Sequence, residues 1–227
     1  PKVNAASYNG WIEFGNRMFT GLVTVAVAAA VLGSIRRIPK RQDLIWLSWG
    51  LVAGVVAQII VGAVAVKTDL NPAVVACHFL VSIALITDAA VLHHRASDEV
   101  STARPPLVRN LSVAILAVAL AVIMAGTVVT GTGPHGGDET ARRFQLVMTD
   151  VVRVHSLLVW LLVALTVFLA YRVKTREVQV LLAVEVAQGA IGYTQYFTGV
   201  PVLLVAVHVI GALAVWIAAV RVRLSLG

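Results

Sequence analysis

Three histidines stand in the middle of long apolar stretches: His78 in VVACHFLV, His155 in VVRVHSLLVW and His208 in VLLVAVHVIGA. An imidazole is costly in hydrocarbon unless it hydrogen-bonds, relays a proton or binds a metal. At about 1.5 Å per residue, each lies roughly 12–15 Å below one end of its stretch. Equal depth on separate helices is what the two axial ligands of one haem iron require, one nitrogen above the iron and one below. His155 and His208 are paired on this basis, and His78 faces an equivalent second site. For any one histidine alone, a hydrogen-bonding or proton-relay role is the competing reading; three at matched depth favour haem. The single cysteine, Cys77, excludes an internal disulfide and any metal site built on several cysteines. It precedes His78, points about 100° away from it around the helix and reads as a small core residue.

Other polar groups are fewer. The stretch WIEFGNR places Glu13 and Arg17 at i,i+4 on one helix face, with Asn16 between them. A salt bridge closing the helix end is the simpler reading; the functional one is a carboxylate, an amide and a guanidinium at the mouth of a site, with arginine neutralising a haem propionate. Asp150 and Arg153 stand at i,i+3 and read as a structural pair, with a propionate contact by Arg153 as the alternative. Glu185 lies roughly a dozen ångströms inside its span and needs a partner or a proton. His93 and His94 sit at a helix end and reach water. His135, in GPHGGD, belongs to a loop.

These residues need long apolar helices to hold them. Of 227 residues, 59% are hydrophobic and 13% charged, and the mean hydropathy is +0.89. No single water-soluble core could hide that much apolar surface. Seven spans are predicted, at 11–35, 44–66, 70–93, 108–131, 144–171, 177–197 and 200–220, with bounds good to about 2–4 residues. The net charge of +7 does not indicate nucleic acid, because the basic residues sit in short runs between spans. Arg36, Arg37, Lys40, Arg41, Arg95, Arg104, Arg109, Arg172, Lys174, Arg176, Arg221 and Arg223 all fall on one side, which the positive-inside rule makes cytoplasmic. The first residue then lies outside and the last inside. No cleavable signal is visible, so an upstream helix is expected.

An internal repeat sharpens the architecture. A-Q-I-I-V-G (57–62) matches A-Q-G-A-I-G (187–192), and each is followed by a proline-containing turn and a histidine. Gln58 and His78 have the same separation as Gln188 and His208. The fold expected is all-α and polytopic, with two pseudo-symmetric four-helix bundles, the first lacking its first helix in this chain. Its parts are an N-terminal bundle at 1–95, a cytoplasmic linker at 96–107 and a C-terminal bundle at 108–227. Repeats of this kind commonly place the ligand site near the repeat interface.

Taken together, EFGNR (13–17), GTVVTGTGPHGGD (126–138), YTQYFTGVP (193–201) and the three histidines resemble haem A synthase, in wording closest to the actinobacterial branch. The resemblance implies eight helices in two bundles and a haem b held by His155 and His208. It also implies substrate haem O in the first bundle, near His78, Asn16 and Arg17, with Glu13 as the catalytic, proton-handling carboxylate. Much of that family carries Glu-x-x-His-Arg where this chain has Asn16 in the histidine's place, and an amide is a poor iron ligand. The activity implied is oxidation of the C8 methyl of haem O to a formyl group, in the cell membrane. A haem O synthase and an electron-transfer partner would serve it, and homo-oligomerisation is compatible with it. The rivals are a bis-histidine di-haem electron-transfer protein of the cytochrome b561 or quinone-oxidising kind, and a non-catalytic haem carrier or assembly factor.

Overall fold

A bilayer offers no hydrogen-bond partners, so a segment crossing it must satisfy its own backbone, and a helix does this within one stretch of chain. The computed structural model describes residues 8–97, 104–134 and 141–227; the side chains of residues 8–13, 16 and 17 also lie outside the described residues. Seven helices follow in order: α1 (Tyr8–Arg36), α2 (Gln42–Lys67), α3 (Pro72–Ala96), α4 (Pro106–Thr132), α5 (Met148–Arg172), α6 (Arg176–Phe197) and α7 (Val202–Leu226). Among the described residues there is no strand. The protein is an all-helical, polytopic membrane protein, and each predicted span corresponds to one helix.

Six helices are long and apolar enough to cross a membrane; α6 is the exception. Its 22 residues are long enough, but Arg176, Glu177, Gln179, Glu185, Gln188 and Gln195 lower its hydropathy. The expectation that 177–197 is as apolar as the other spans is corrected: α6 is a polar-striped helix packed between α5 and α7. The fifth span also starts later than predicted, at Met148. The residues before it form an irregular return in which Phe144 N donates to Gly131 O at 2.8 Å.

Local signals set several helix ends. Asn71 caps α3 by accepting from Ala73 N at 3.0 Å, with Pro72 in the first turn, where its missing N–H costs nothing. Pro106 opens α4 in the same way. Helices α3 and α4 are joined by residues 97–105, of which 98–103 lie outside the described set.

Packing follows a simple order. Helices α4, α5, α6 and α7 close a ring, with α7 returning to α4. Helix α1 packs on α2 and α2 on α3, and α3 joins the ring through α4 and α7. Trp216 Nε1 of α7 donates to Thr87 Oγ1 of α3 at 2.8 Å, tying the two groups of helices. At the basic end Asp43 pairs with Arg41 at 2.9 Å and with Arg95 of α3 at 3.7 Å. Large apolar side chains such as Leu22, Trp46, Leu157 and Leu203 face outward, the arrangement of a surface solvated by lipid. Cys77 is exposed as well, which corrects its assignment to the core. In a bilayer a small apolar residue faces lipid as readily as protein.

The repeat extends into backbone conformation. One shift of 130 positions carries 58 to 188, 62 to 192 and 78 to 208. The same shift carries the turn after α2 onto the turn after α6. Thr68 N and Thr198 N each bond the carbonyl four residues back, at 3.0 Å. Leu70 N bonds Ala65 O at 2.9 Å, and Val200 N bonds Gln195 O at 2.7 Å. Both turns place two successive residues at positive φ: Asp69 (52°) and Leu70 (54°), then Gly199 (79°) and Val200 (59°).

Candidate functional site

Burial is uneven along the axis of the α4–α7 ring. Ile115, Leu169, Leu181 and Val222 are fully or almost fully buried towards the basic end. No residue of α5 before Leu162, of α6 after Glu185 or of α7 before Val215 is buried. The half of the ring with the looser packing is the half that carries His155 and His208.

Those two side chains face each other. Their ring centroids are 6.4 Å apart, with planes inclined by 74°. Two imidazoles sharing one metal through bonds of about 2.0–2.1 Å would place their centroids roughly 6 Å apart, so the pair fits a common iron. His155 Nδ1 lies 3.1 Å from Val122 O of α4. A carbonyl only accepts, so Nδ1 carries the proton and Nε2 is left as the ligating atom. His208 Nδ1 is buried with no hydrogen-bond partner, an orphaned polar atom in the ring interior. Gln188 Nε2 of α6 donates to the His208 carbonyl at 2.5 Å. Among the described residues no group of three or more His, Cys, Asp or Glu could hold a bare metal ion. Two imidazoles are the axial pair that a haem would need, its porphyrin supplying the other ligands.

His78 stands on α3, outside this ring, with the Gln58 amide of α2 against it. With its nitrogen turned towards the histidine, Gln58 donates to Nδ1 at 2.9 Å and to the His78 carbonyl at 3.2 Å, while its oxygen accepts from Ser82 Oγ. The structure thus brings His155 and His208 together and keeps His78 apart, engaged by its own glutamine.

The remaining residues separate clearly. Arg153 and Asp150 form an exposed ion pair at 3.6 Å. Glu13, Asn16 and Arg17 lie on α1, and their side chains are outside the described residues; His135 is outside them too. Glu185 is buried and accepts from Thr166 Oγ1 of α5 at 2.9 Å, while its second oxygen has no partner. Sequence reasoning missed Thr166, because a threonine in an apolar span is commonplace. It also missed Asp88 of α3, which lies against Gly50 of α2, where an added Cβ would meet Oδ2 at 2.5 Å. A lone carboxylate within the third span was the signal available.

Fold and site define a helical membrane protein with paired intramembrane histidines in a four-helix ring. Residues 2–134, more than half of the chain, match the family model of the cytochrome oxidase assembly proteins (COX15-CtaA), and the chain belongs to that family. The match takes in Glu13, Asn16, Arg17 and His78 and ends before His155; the repeat ties His208 to the matched part. No curated protein matches the chain.

Proposed function

We propose that this protein is a haem A synthase, oxidising the C8 methyl of haem O through an alcohol to the formyl group of haem A for terminal oxidases. One observation carries the reading: in a chain of this family, His155 and His208 face each other at 6.4 Å across the loosely packed half of a four-helix ring. These two would be the axial ligands of haem b. His78, with Asn16 and Arg17, would hold substrate haem O in the first group of helices. A bound haem supplies one-electron redox chemistry.

The protein's own part is orientation, charge and proton handling. The Val122 carbonyl accepts from His155 Nδ1 and so leaves Nε2 without a proton. Gln188 ties the His208 backbone to α6. Gln58 donates to His78 Nδ1 and so puts the ring proton on Nε2; to bind iron through Nε2, His78 would give up that hydrogen bond and shift its proton. Arg17 would neutralise a propionate of the substrate, and Arg153 would do so for haem b by leaving Asp150. Glu13 would handle protons or position water near the reacting methyl. Asn16 would contribute a hydrogen bond rather than a second iron ligand. In this reading the basic end is cytoplasmic, the membrane is the cell membrane, a haem O synthase delivers the substrate, and a separate protein accepts the electrons.

Pigment extraction from the purified full-length protein tests the reading. Haem O and haem A beside haem B is the expected result. Haem B alone, with rapid reduction by quinol, would overturn it in favour of a di-haem electron-transfer protein.

A further inference from the structure

Each of the three intramembrane histidines meets a glycine on the preceding helix. A Cβ built on Gly62 of α2 would lie 3.2 Å from His78 Cε1; on Gly126 of α4, 3.2 Å from His155 Cε1; and on Gly192 of α6, 3.0 Å from His208 Cε1. Those separations are tighter than ordinary carbon contacts of about 3.5–4.0 Å. The residue one turn before each glycine also touches the same histidine: the Gln58 amide on His78, the Val122 carbonyl on His155 and the Gln188 amide on the His208 backbone. In the third joint the fit is reciprocal, since an added Cβ on Gly211 of α7 would collide with the Gln188 amide. The arrangement recurs in all three hairpins, including α4–α5, which has no A-Q-x-x-x-G motif.

We infer that Gly62, Gly126 and Gly192 are positioning residues: each leaves room for one edge of an imidazole and so sets the ring's rotation and its distance from the helix axis. A ligand imidazole has only two torsions to fix. The hydrogen bond one turn away restrains one part of the histidine, and the glycine contact limits where the ring edge can go. Cofactor sites depend on such support, because a ring misplaced by a fraction of an ångström alters the ligand field. The consequence for haem spectra rests on the proposed haem reading; the steric placement of the rings does not.

The test replaces Gly126 and Gly192 by alanine in the full chain, with Gly189→Ala as the control, because nothing lies within 4 Å of a Cβ at that position. Alanine is the better helix former at all three sites, so a defect confined to the first two comes from the ring contact. With haem bound, Gly126→Ala and Gly192→Ala shift the midpoint potential and the electron paramagnetic resonance g-values of the low-spin haem. Gly189→Ala leaves both unchanged. Gly62→Ala leaves that haem unchanged and lowers retention of haem O. In haem-free protein carrying 15N-histidine, Gly126→Ala moves the His155 ring signals and not those of His78. Should Gly126→Ala and Gly192→Ala fail to accumulate, Gly62→Ala in haem-free protein moves the His78 ring signals and not those of His155. Spectra and ring signals of Gly126→Ala and Gly192→Ala matching those of Gly189→Ala would overturn the inference. Ring signals that move as stated in the haem-free variants, with no haem bound by the purified wild-type protein, would overturn the haem reading and leave the inference standing.

Discussion

Val122 has an apolar side chain, yet its carbonyl decides which nitrogen of His155 is free. Any residue could supply that carbonyl, so the partner was invisible in sequence; only the register between α4 and α5 reveals it. The histidines themselves were legible because a polar ring stands out in an apolar span. Their division of labour was half legible: the repeat linked His208 to His78, and the structure adds the short approach of His208 to His155. His78→Ala is expected to retain the low-spin haem and lose haem O and haem A from the extracted pigments. Loss of the low-spin haem instead would place His78 in the wrong site. Glu13→Ala is expected to slow haem A formation by about 10²-fold or more, the scale of general acid–base catalysis, with haem b content unchanged. Haem A made at the normal rate would remove Glu13 from catalysis.

Helix α6 explains why composition misjudged one span. Two of its polar residues meet neighbouring helices: Glu185 is buried against Thr166 of α5, and Gln188 reaches α7. A helix enclosed on both sides by protein can carry such groups, where a lipid-facing one cannot. A hydropathy pattern does not record which side of a helix is enclosed. It misplaced Cys77 for the same reason. Thr166→Val leaves the Glu185 carboxyl without its hydrogen bond from α5 and is expected to cost about 0.6–2 kcal/mol, the range of interhelical hydrogen bonds in membranes. Thermal unfolding in detergent measures it; an unchanged midpoint would show that the contact carries no stability. The haem spectrum is expected to stay as in the wild type, since Thr166 lies three turns along α5 from His155.

The molecule as a whole has one tightly packed end and one basic rim, and both are the same end. Asp43 joins Arg41 and Arg95 there, and the fully buried core of the α4–α7 ring lies nearby. The histidines occupy the opposite half. The positions of helix ends were legible from charge runs and turn residues, because these signals are local. The closing of α4–α7 into a ring was expected from the repeat and needed tertiary contacts to be seen. If the basic end is cytoplasmic, trypsin added to inside-out vesicles cuts at Lys174, between α5 and α6. Trypsin added to right-side-out vesicles cuts at Arg142 or Arg143, between α4 and α5. The reverse pattern would invert the orientation.

The central claim is that His155 and His208 clamp one haem iron from two helices. Electron paramagnetic resonance of the purified wild-type protein, compared with His208→Ala, tests it most directly. The expected result is a low-spin, bis-imidazole signal in the wild type that the variant lacks, its haem either high-spin on His155 or lost. A low-spin signal that survives His208→Ala unchanged would contradict it.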